Sequence, residues 1–332
     1  MVSVWVLSDG KAGTDNQSLG LAKELCFPFE IVRIKKKNLF RSLPSFIWTL
    51  PTGNLAFNSL KNKTKIKSSL SWPDLLIGSG KSTVGASIAI RRASKGKTYT
   101  VQLQNPRISN KFFDFVAPLI HDNIYGENVI STIGSLNQIN EKTLKESKIK
   151  FPYLNNIPKP RIAILIGGNS KYHKLGIKEA IEICQKLLIL QKKYDYSILI
   201  SFSRRTPNNI KEIFKNRLNS KNLTMWDGEG KNPYYAFLYF ADYIFITEDS
   251  ISMISEAATT GKPIYILKTR GKSKKFDKFH LSLSEAGITR LFNGKIDHPW
   301  KYNKLQDTLN IAKKIKINLE IHLEKNNKHY KS

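Results

Sequence analysis

The sequence predicts an α/β chain of two doubly wound domains, and three observations carry that prediction. Strand-like and helix-like stretches alternate from the first residues onward, the pattern of parallel strands joined by crossover helices. The length of 332 residues exceeds what one core usually serves, so two domains of about 150 residues each are expected. Each half opens with a β-type run and a Gly-containing loop: VSVWVL before SDGKAG at the start, and RIAILI before GGNSKYH from residue 161. In open α/β sheets ligands sit beyond the carboxyl ends of the strands. The loops after the strands, and the cleft between two such domains, are therefore where chemistry is expected.

In chain order, the first half reads as strand 2–7, a loop over 8–15, helix 16–26 and strand 29–34. An apolar, aromatic segment over 39–57 follows, then strand 74–78, helix 82–93, strand 98–103, and short strands near 113–117 and 128–132. Residues 140–160 are polar, lysine-rich and closed by Pro158 and Pro160, which predicts a helix running into an interdomain linker. This places the first domain over 1–150 and the second over 151–302, with 303–332 left as a C-terminal helix and basic tail. The second domain reads as strand 161–166, helix 176–193, strand 196–202, helix 207–218, helix 232–240, strand 242–247, helix 250–260 and strand 263–267.

Composition bounds the function. A balance of 54 Lys and Arg against 26 Asp and Glu gives a formal charge of +28, which favours anionic partners. The basic residues are scattered and match no nucleic-acid-reading motif, so sequence-specific nucleic-acid binding is not expected. The two cysteines, Cys26 and Cys184, are far apart in helical patterns; they form neither a disulfide framework nor a metal motif, in keeping with a reducing compartment. The N-terminus lacks a basic region and a small-residue cleavage site, so a cytoplasmic protein is expected. Segment 39–57 carries Arg41, Pro44, Pro51 and Gly53 and cannot span a bilayer as one helix. Flanked by Lys35–Lys37 and Lys61–Lys67, it suits either peripheral attachment to the anionic inner face of the cytoplasmic membrane or a buried helix and loop.

One stretch, GSGKST at 78–83, imitates a nucleotide triphosphatase loop. That loop needs a glycine five residues before Gly80, and the chain has Leu75 there, so the cradle is too short. What remains is a Gly-rich turn between a strand and a helix, which presents backbone N–H groups at a helix N-terminus. Gly78, Gly80, Lys81 and Ser82 are accordingly acceptor-side candidates, with Gly10, Gly13 and Gln17 of the first loop.

The most informative stretch is ITEDSISMISEAATTGKPIYIL, residues 246–267. A strand ends at Thr247, Asp249 or Ser250 can cap the next helix, Ile251 and Ile254 mark its buried face, and Gly261 with Pro263 end it. Ser250 and Ser252 lie at the positive helix end, where a pyrophosphate would rest, and Glu256 can accept hydrogen bonds from a ribose diol. Gly167, Gly168, Asn169 and Ser170 form a turn that lets backbone approach a phosphate, and Arg204 and Arg205, next to Ser203 at a strand end, supply planar donors for phosphate oxygens. The 246–267 helix resembles the donor-nucleotide helix of GT-B glycosyltransferases, including the enzyme that adds N-acetylglucosamine to lipid-linked peptidoglycan precursors.

A wider resemblance covers essentially the whole chain. WVLSDGKAGTDNQSLGLAKEL, VQLQNPR at 101–107, Pro118 with His121 and Asp122, LIGGNSKYH, SFSRRTP, the run from DGEGKNPYY through GKPIY, and KFHLSLSEAGITR look like the "elongated mitochondria" (ELM) mitochondrial-fission family, in order. The resemblance implies a GT-B-like fold of two Rossmann-like domains. Bacterial members are candidate glycosyltransferases, and the plant namesake is a mitochondrial outer-surface factor that helps localise a dynamin-related protein. One departure is that the family's arginine-rich loops appear here amid a lysine excess.

The expected activity is transfer of a sugar from a nucleotide-sugar donor to an acceptor, a membrane glycolipid or an envelope polysaccharide. Such chemistry needs a base for the acceptor hydroxyl and positive charge at the leaving phosphate. Asp9, Asp15 and His121 are the base candidates, each of which a loop cap or structural pairing would also explain; Gln104, Arg107 and Asp122 complete the acceptor side. The sequence holds no convincing paired-acid metal loop, so neither metal nor cofactor is expected beyond the donor. Two other readings share this architecture: a nucleotide-sugar epimerase, and a non-catalytic adaptor at a membrane.

Overall fold

The computed structural model describes residues 1–34, 47, 72–170, 172–218 and 222–328. Apart from position 47, the apolar segment 39–57 lies outside the described residues, as do its flanking lysines. The chain divides into two compact units: Met1–Gln138 with Gln306–Ser332, and Ile139–Leu305.

The first unit runs β1 (Val4–Ser8), α1 (Ala12–Leu25), β2 (Phe29–Arg33), β3 (Leu75–Ser79), α2 (Lys81–Ala93), β4 (Tyr99–Leu103) and β5 (Phe115–Ala117). The five strands form one parallel sheet in the order β2-β1-β3-β4-β5. A parallel sheet is covered on both faces, which is why its strands are near-continuous apolar runs. Val4, Val6, Leu75, Ile77, Val101 and Phe115 pack with Leu21 and Leu25 of α1. Trp5, Leu7 and Leu76 pack with Ala86 and Ile90 of α2 on another cluster. The strand expected near 128–132 is absent; Val129 and Thr132 make only isolated parallel bridges to Val116 and Leu119.

The second unit begins earlier than expected. The helix expected at the start of 140–160 is present and belongs to this unit: Asn140 and Thr143 form a reciprocal cap, with N–H···O distances of 2.9 and 3.0 Å, that starts α3 (Glu141–Lys150). Then come β6 (Arg161–Ile166), β7 (His173–Lys174), α4 (Ile177–Tyr194), β8 (Ser197–Phe202), α5 (Asn208–Arg217), β9 (Leu223–Trp226), α6 (Tyr234–Phe240) and β10 (Tyr243–Thr247). The unit finishes with α7 (Ile251–Thr259), β11 (Ile264–Leu267), β12 (Arg270–Gly271), α8 (Lys274–Glu285) and β13 (Thr289–Leu291). Helix α3 packs on α6, inside this unit. Six strands form a parallel sheet in the order β13-β11-β10-β6-β8-β9, and β12 pairs antiparallel with β7. Ile162, Ile164, Ile198, Ile200 and Phe245 bury one face against Ile183, Leu187 and Phe214.

The last helix, α9 (Asp307–Lys328), returns to the first unit and is no separate tail. Ile311, Ile315 and Leu319, spaced four apart, lie on one helix face and join the core of Leu21 and Leu25. Its start is tied by the Asp307 carboxylate, which accepts the Gly134 N–H at 2.8 Å, and by the Thr308 hydroxyl, which accepts the Asn137 N–H at 3.0 Å. Near its end the His322 ring meets Tyr99 edge-on at 5.3 Å. Among the described residues, no helix is long and apolar enough to cross a membrane.

Within the second unit, Lys262 donates from Nζ to the carbonyls of Leu238, at 2.7 Å, and Tyr239, capping the C-terminus of α6. Burial pulls this ammonium down to about 8, with Asp242 opposing the shift.

Two outcomes follow. Ile315→Ala, which opens a cavity in a core the last helix shares, is expected to lower stability by about 2–5 kcal/mol in urea unfolding. For Lys262, the unfolded chain keeps its proton up to the ordinary 10.5 while the folded chain releases it from about 8. Between those values the unfolded state binds more protons, so this group favours folding increasingly as pH rises. The stability of wild type relative to Lys262→Met should therefore increase from pH 8 to pH 10.5 in denaturant titrations.

Candidate functional site

In an open parallel sheet the crevice opens where the strand order reverses. In the second unit this point lies between β6 and β10, because the chain builds β8 and β9 on one side and β11 and β13 on the other. The loops leaving β6, β8 and β10 converge there on one side chain, Asp249, which is 3% exposed. Its Oδ2 accepts the Gly168 N–H at 3.0 Å and Arg205 Nη2 at 3.1 Å, and its Oδ1 accepts the Thr247 hydroxyl at 2.7 Å. The Thr247 Oγ1 in turn accepts the Gly167 N–H at 2.7 Å. The two glycines are thus required sterically: a Cβ on Gly167 would lie 2.0 Å from Asp249 Oδ1, and one on Gly168 2.2 Å from the Arg205 backbone.

This corrects one expectation. The Gly167 and Gly168 N–H groups do not face outward to a phosphate; they hold Thr247 and Asp249. Asn169 joins the same assembly through its N–H to the Arg205 carbonyl at 3.3 Å, and Ser203 shares a 3.1 Å hydroxyl contact with Thr206. Arg204 is exposed and has no partner among the described residues, and the Arg205 side chain is half exposed beside Asp249. These guanidinium groups, with the start of α7, are the positive elements of the site.

Ser250, not Asp249, caps α7: its Oγ accepts the Met253 N–H at 3.4 Å. Ser252 is partly exposed in the first turn. Glu256 is buried, and Tyr234 at the start of α6 donates its hydroxyl to Glu256 Oε2 at 2.6 Å. Burial pushes the Tyr234 hydroxyl well above its ordinary value, and the Glu256 charge adds to the shift. Tyr234 was not legible as a site residue, because a tyrosine pair in an apolar helix reads as core.

A second group beside Asp249 also escaped the sequence. Glu248 Oε1 accepts the Thr269 N–H at 2.7 Å, and Oε2 meets Lys268 Nζ at 2.9 Å. His173, only 2% exposed, lies with Nδ1 3.9 Å from Glu248 Oε1, and His280 Nε2 donates to the Glu248 carbonyl at 3.0 Å. Burial holds the His280 imidazole below its ordinary value. Ser170 belongs to this side: its N–H donates to the His173 carbonyl at 2.8 Å. Among the described residues, no three His, Cys, Asp or Glu side chains converge as a metal ion would require.

In the first unit the order reverses between β1 and β3, and a carboxylate bridges that point too. Asp9 accepts Ser82 Oγ at 2.6 Å, Thr14 Oγ1 at 2.7 Å and the Lys11 N–H at 3.1 Å. Burial raises its pKa, but these hydrogen bonds and the Lys11 charge outweigh it and hold the carboxylate below the usual range. Asp9 therefore ties the first loop to the GSGKST turn and is a poor base. Asp15 accepts the Ser8 hydroxyl at 2.9 Å on Oδ2, while its buried Oδ1 has no partner. Gly10 donates to Ser8 Oγ at 3.2 Å; Gly13 has open space around it, and Gln17 is buried. Gly78 is a packing glycine, since a Cβ would come within 3.0 Å of Thr83, Ser87 and Gln102 side-chain oxygens. Gly80, at φ 75°, lies between Thr14 and Gln104, and Lys81 is exposed. Gln104 and Arg107 both adopt the left-handed region, φ 67° and 59°. His121 and Asp122 are carried by the short 3-10 turn after β5, the far edge strand.

Comparison with known proteins bears on both units. The fold is shared with UDP-GlcNAc 2-epimerase from Methanocaldococcus jannaschii, at TM-score 0.59 and 14% identity over 95% of this chain and 98% of that one. It is shared with the UDP-GlcNAc 2-epimerase from Neisseria meningitidis bound to UDP-GlcNAc, at TM-score 0.55 and 17% identity over 98% and 93%. It is shared also with Acinetobacter baumannii MurG, at TM-score 0.52 and 13% identity over 99% and 95%. The architecture is thus GT-B-like, as expected. In sequence, the chain is 29% identical over 275 residues to the mitochondrial fission protein ELM1 of Arabidopsis thaliana, covering 74% of this chain but only 64% of the plant protein. It is 27% identical to an uncharacterized protein of Rickettsia prowazekii, covering 96% of this chain and 99% of that one. A model of one family, described as mitochondrial fission ELM1, matches residues 12–319, and the chain belongs to that family.

Proposed function

We propose that the chain is a glycosyltransferase whose second unit binds the nucleotide part of a nucleotide-sugar donor. The observation that carries the reading is the assembly at the β6/β10 reversal. There Arg205, next to the exposed Arg204 in the chain, pairs with Asp249 just before α7, and the same helix presents Glu256 about two turns, ~10 Å, further on. Cationic donors and a helix start suit a diphosphate, and a buried carboxylate suits the ribose hydroxyls of the same molecule. Relatives of this fold bind UDP-GlcNAc, which supports the same ligand class here.

In this reading Arg204 and Arg205 offset the charge that develops on the leaving diphosphate. Asp249 does not touch the donor; it fixes Arg205 and closes the Gly167–Gly168 turn behind it. On the first unit Asp15 is the better base than Asp9, because Asp9 is spent on three hydrogen bonds while Asp15 keeps a carboxylate oxygen without a partner. The acceptor we propose is a glycolipid or an envelope polysaccharide, reached from the anionic face of a membrane. A second reading, nucleotide-sugar epimerisation, is favoured by TM-scores of 0.59 and 0.55 to two epimerases against 0.52 to MurG. Incubation of the full chain with UDP-GlcNAc alone separates the two: conversion without an acceptor supports the epimerase, and transfer only when an acceptor is added supports the transferase.

Two outcomes test the donor site. Glu256→Gln keeps an acceptor for Tyr234 but removes the charge, so calorimetry should show UDP binding weakened by about 1.5–3 kcal/mol, the range for hydrogen bonds to charged groups. Wild type should bind a 2′-deoxy nucleotide less well than UDP, and the variant should bind the two alike; a wild type indifferent to the 2′-hydroxyl would remove Glu256 from the donor site. Because cationic side chains serve the leaving group, transfer should proceed unchanged in excess chelator. Activity abolished by chelator and restored by a divalent ion would show that the arginines do not suffice.

A further inference from the structure

The group around Glu248 contains a feature that the nucleotide reading does not use. His173 is almost fully buried, and its Nε2 has no hydrogen-bond partner among the described residues. Its tautomer follows from its neighbours. The Thr269 hydroxyl donates to Glu248 Oε1 at 3.2 Å and stands 3.4 Å from His173 Nδ1. A hydroxyl that has given its proton to a carboxylate can only accept from the imidazole, and the carboxylate oxygen at 3.9 Å favours the same arrangement. In the neutral ring Nδ1 therefore carries the proton, and Nε2, buried with no acceptor for an N–H among the described residues, presents a bare lone pair.

A bare lone pair selects its partner by chemistry. A phosphate oxygen also presents lone pairs and would be repelled, whereas a hydroxyl would donate. The position of His173 suits a hydroxyl that belongs to the same ligand as the phosphate. It follows the Gly167–Ser170 turn directly and is bound to it: the His173 N–H donates to Ser170 Oγ at 3.0 Å, and its carbonyl accepts the Ser170 N–H at 2.8 Å. Its backing carboxylate, Glu248, is the chain neighbour of Asp249, which organises the phosphate end. The ribbon of β7 and β12 fixes the ring from below, with Gly271 needed because a Cβ there would lie 2.0 Å from the Tyr172 carbonyl. One side is covered by Phe276, a partly exposed ring 4.9 Å from the imidazole.

We propose that His173, backed by Thr269 and Glu248 and covered by Phe276, accepts a hydrogen bond from a hydroxyl of the sugar in a nucleotide sugar. This rests on the nucleotide-binding reading and extends it from the diphosphate to the glycosyl group.

The test compares UDP with UDP-GlcNAc on the full chain by calorimetry, together with the imidazole nitrogen resonances of histidine-labelled protein. Wild type should bind UDP-GlcNAc more tightly than UDP, by roughly threefold to tenfold for one net hydrogen bond. His173→Phe, which keeps a flat ring against Phe276 but no lone pair, should bind UDP as wild type does and lose the advantage of the sugar. In wild type, the lone-pair resonance of His173 Nε2 should move upfield with UDP-GlcNAc and stay in place with UDP; this readout holds even if the variant does not fold. An unmoved resonance on UDP-GlcNAc binding, or a variant that keeps the full advantage, overturns the proposal. So does a wild type that binds the two compounds equally, a result that leaves the nucleotide reading intact. A wild type that binds neither compound removes both.

Discussion

The second unit depends on one buried carboxylate placed where its sheet changes direction. Asp249 satisfies a backbone N–H from the β6 loop, a hydroxyl from its own strand end and a guanidinium from the β8 loop. Three loops that are remote in sequence acquire a common geometry because one carboxylate accepts a donor from each, and the buried Gly168 N–H and Thr247 hydroxyl would otherwise lack an acceptor. The glycines at 167 and 168 follow from this arrangement, since the carboxylate and the β8 loop occupy the space that side chains would need. The first unit repeats the device with Asp9, which joins the loops after β1 and β3. Each unit thus contains its own anion at the crevice, and ligand recognition is left to groups arranged around it.

This arrangement also relates the overall charge to the site. A formal charge of +28 attracts anions without selecting among them. Selection needs cations held in a fixed direction, as Arg205 is by the buried Asp249. Arg204, its neighbour, stands exposed and adaptable. The lysine excess therefore says little about mechanism, while a single arginine with a buried partner says more.

Much of the fold was legible because it rests on local pattern. The apolar runs at 161–166 and 242–247 are strands on both accounts, and the Ser250 cap, Gly261 and Pro263 bracket α7 as their chemistry requires. Short elements were not legible: β9 has four partly buried residues, and β7 and β12 two residues each; the lysine-rich α3 was legible as a helix, but its unit is decided by packing on α6. In the site, residue types at strand ends pointed to Asp249, Arg205 and Glu256. They could not show that Asp249 consumes the glycine N–H groups, or that Tyr234 reaches Glu256 across 22 residues. His173 and Glu248 are separated by 75 positions and met only through the register of β6 and β10. Spacing along one strand or helix is readable; a hydrogen bond between two loops is not.

The return of α9 to the first unit has a consequence for biosynthesis. By connectivity, residues 139–305 are inserted within the first unit, whose core is completed only by Ile311, Ile315 and Leu319. On the ribosome, where segments emerge in order and domains fold as units, the inserted unit has its whole chain available before its host does. The sheet bearing Trp5 and Val6 must wait, one apolar flank uncovered, until Ile311, Ile315 and Leu319 have emerged. Chaperone demand should thus fall on the host unit rather than on the unit inserted within it.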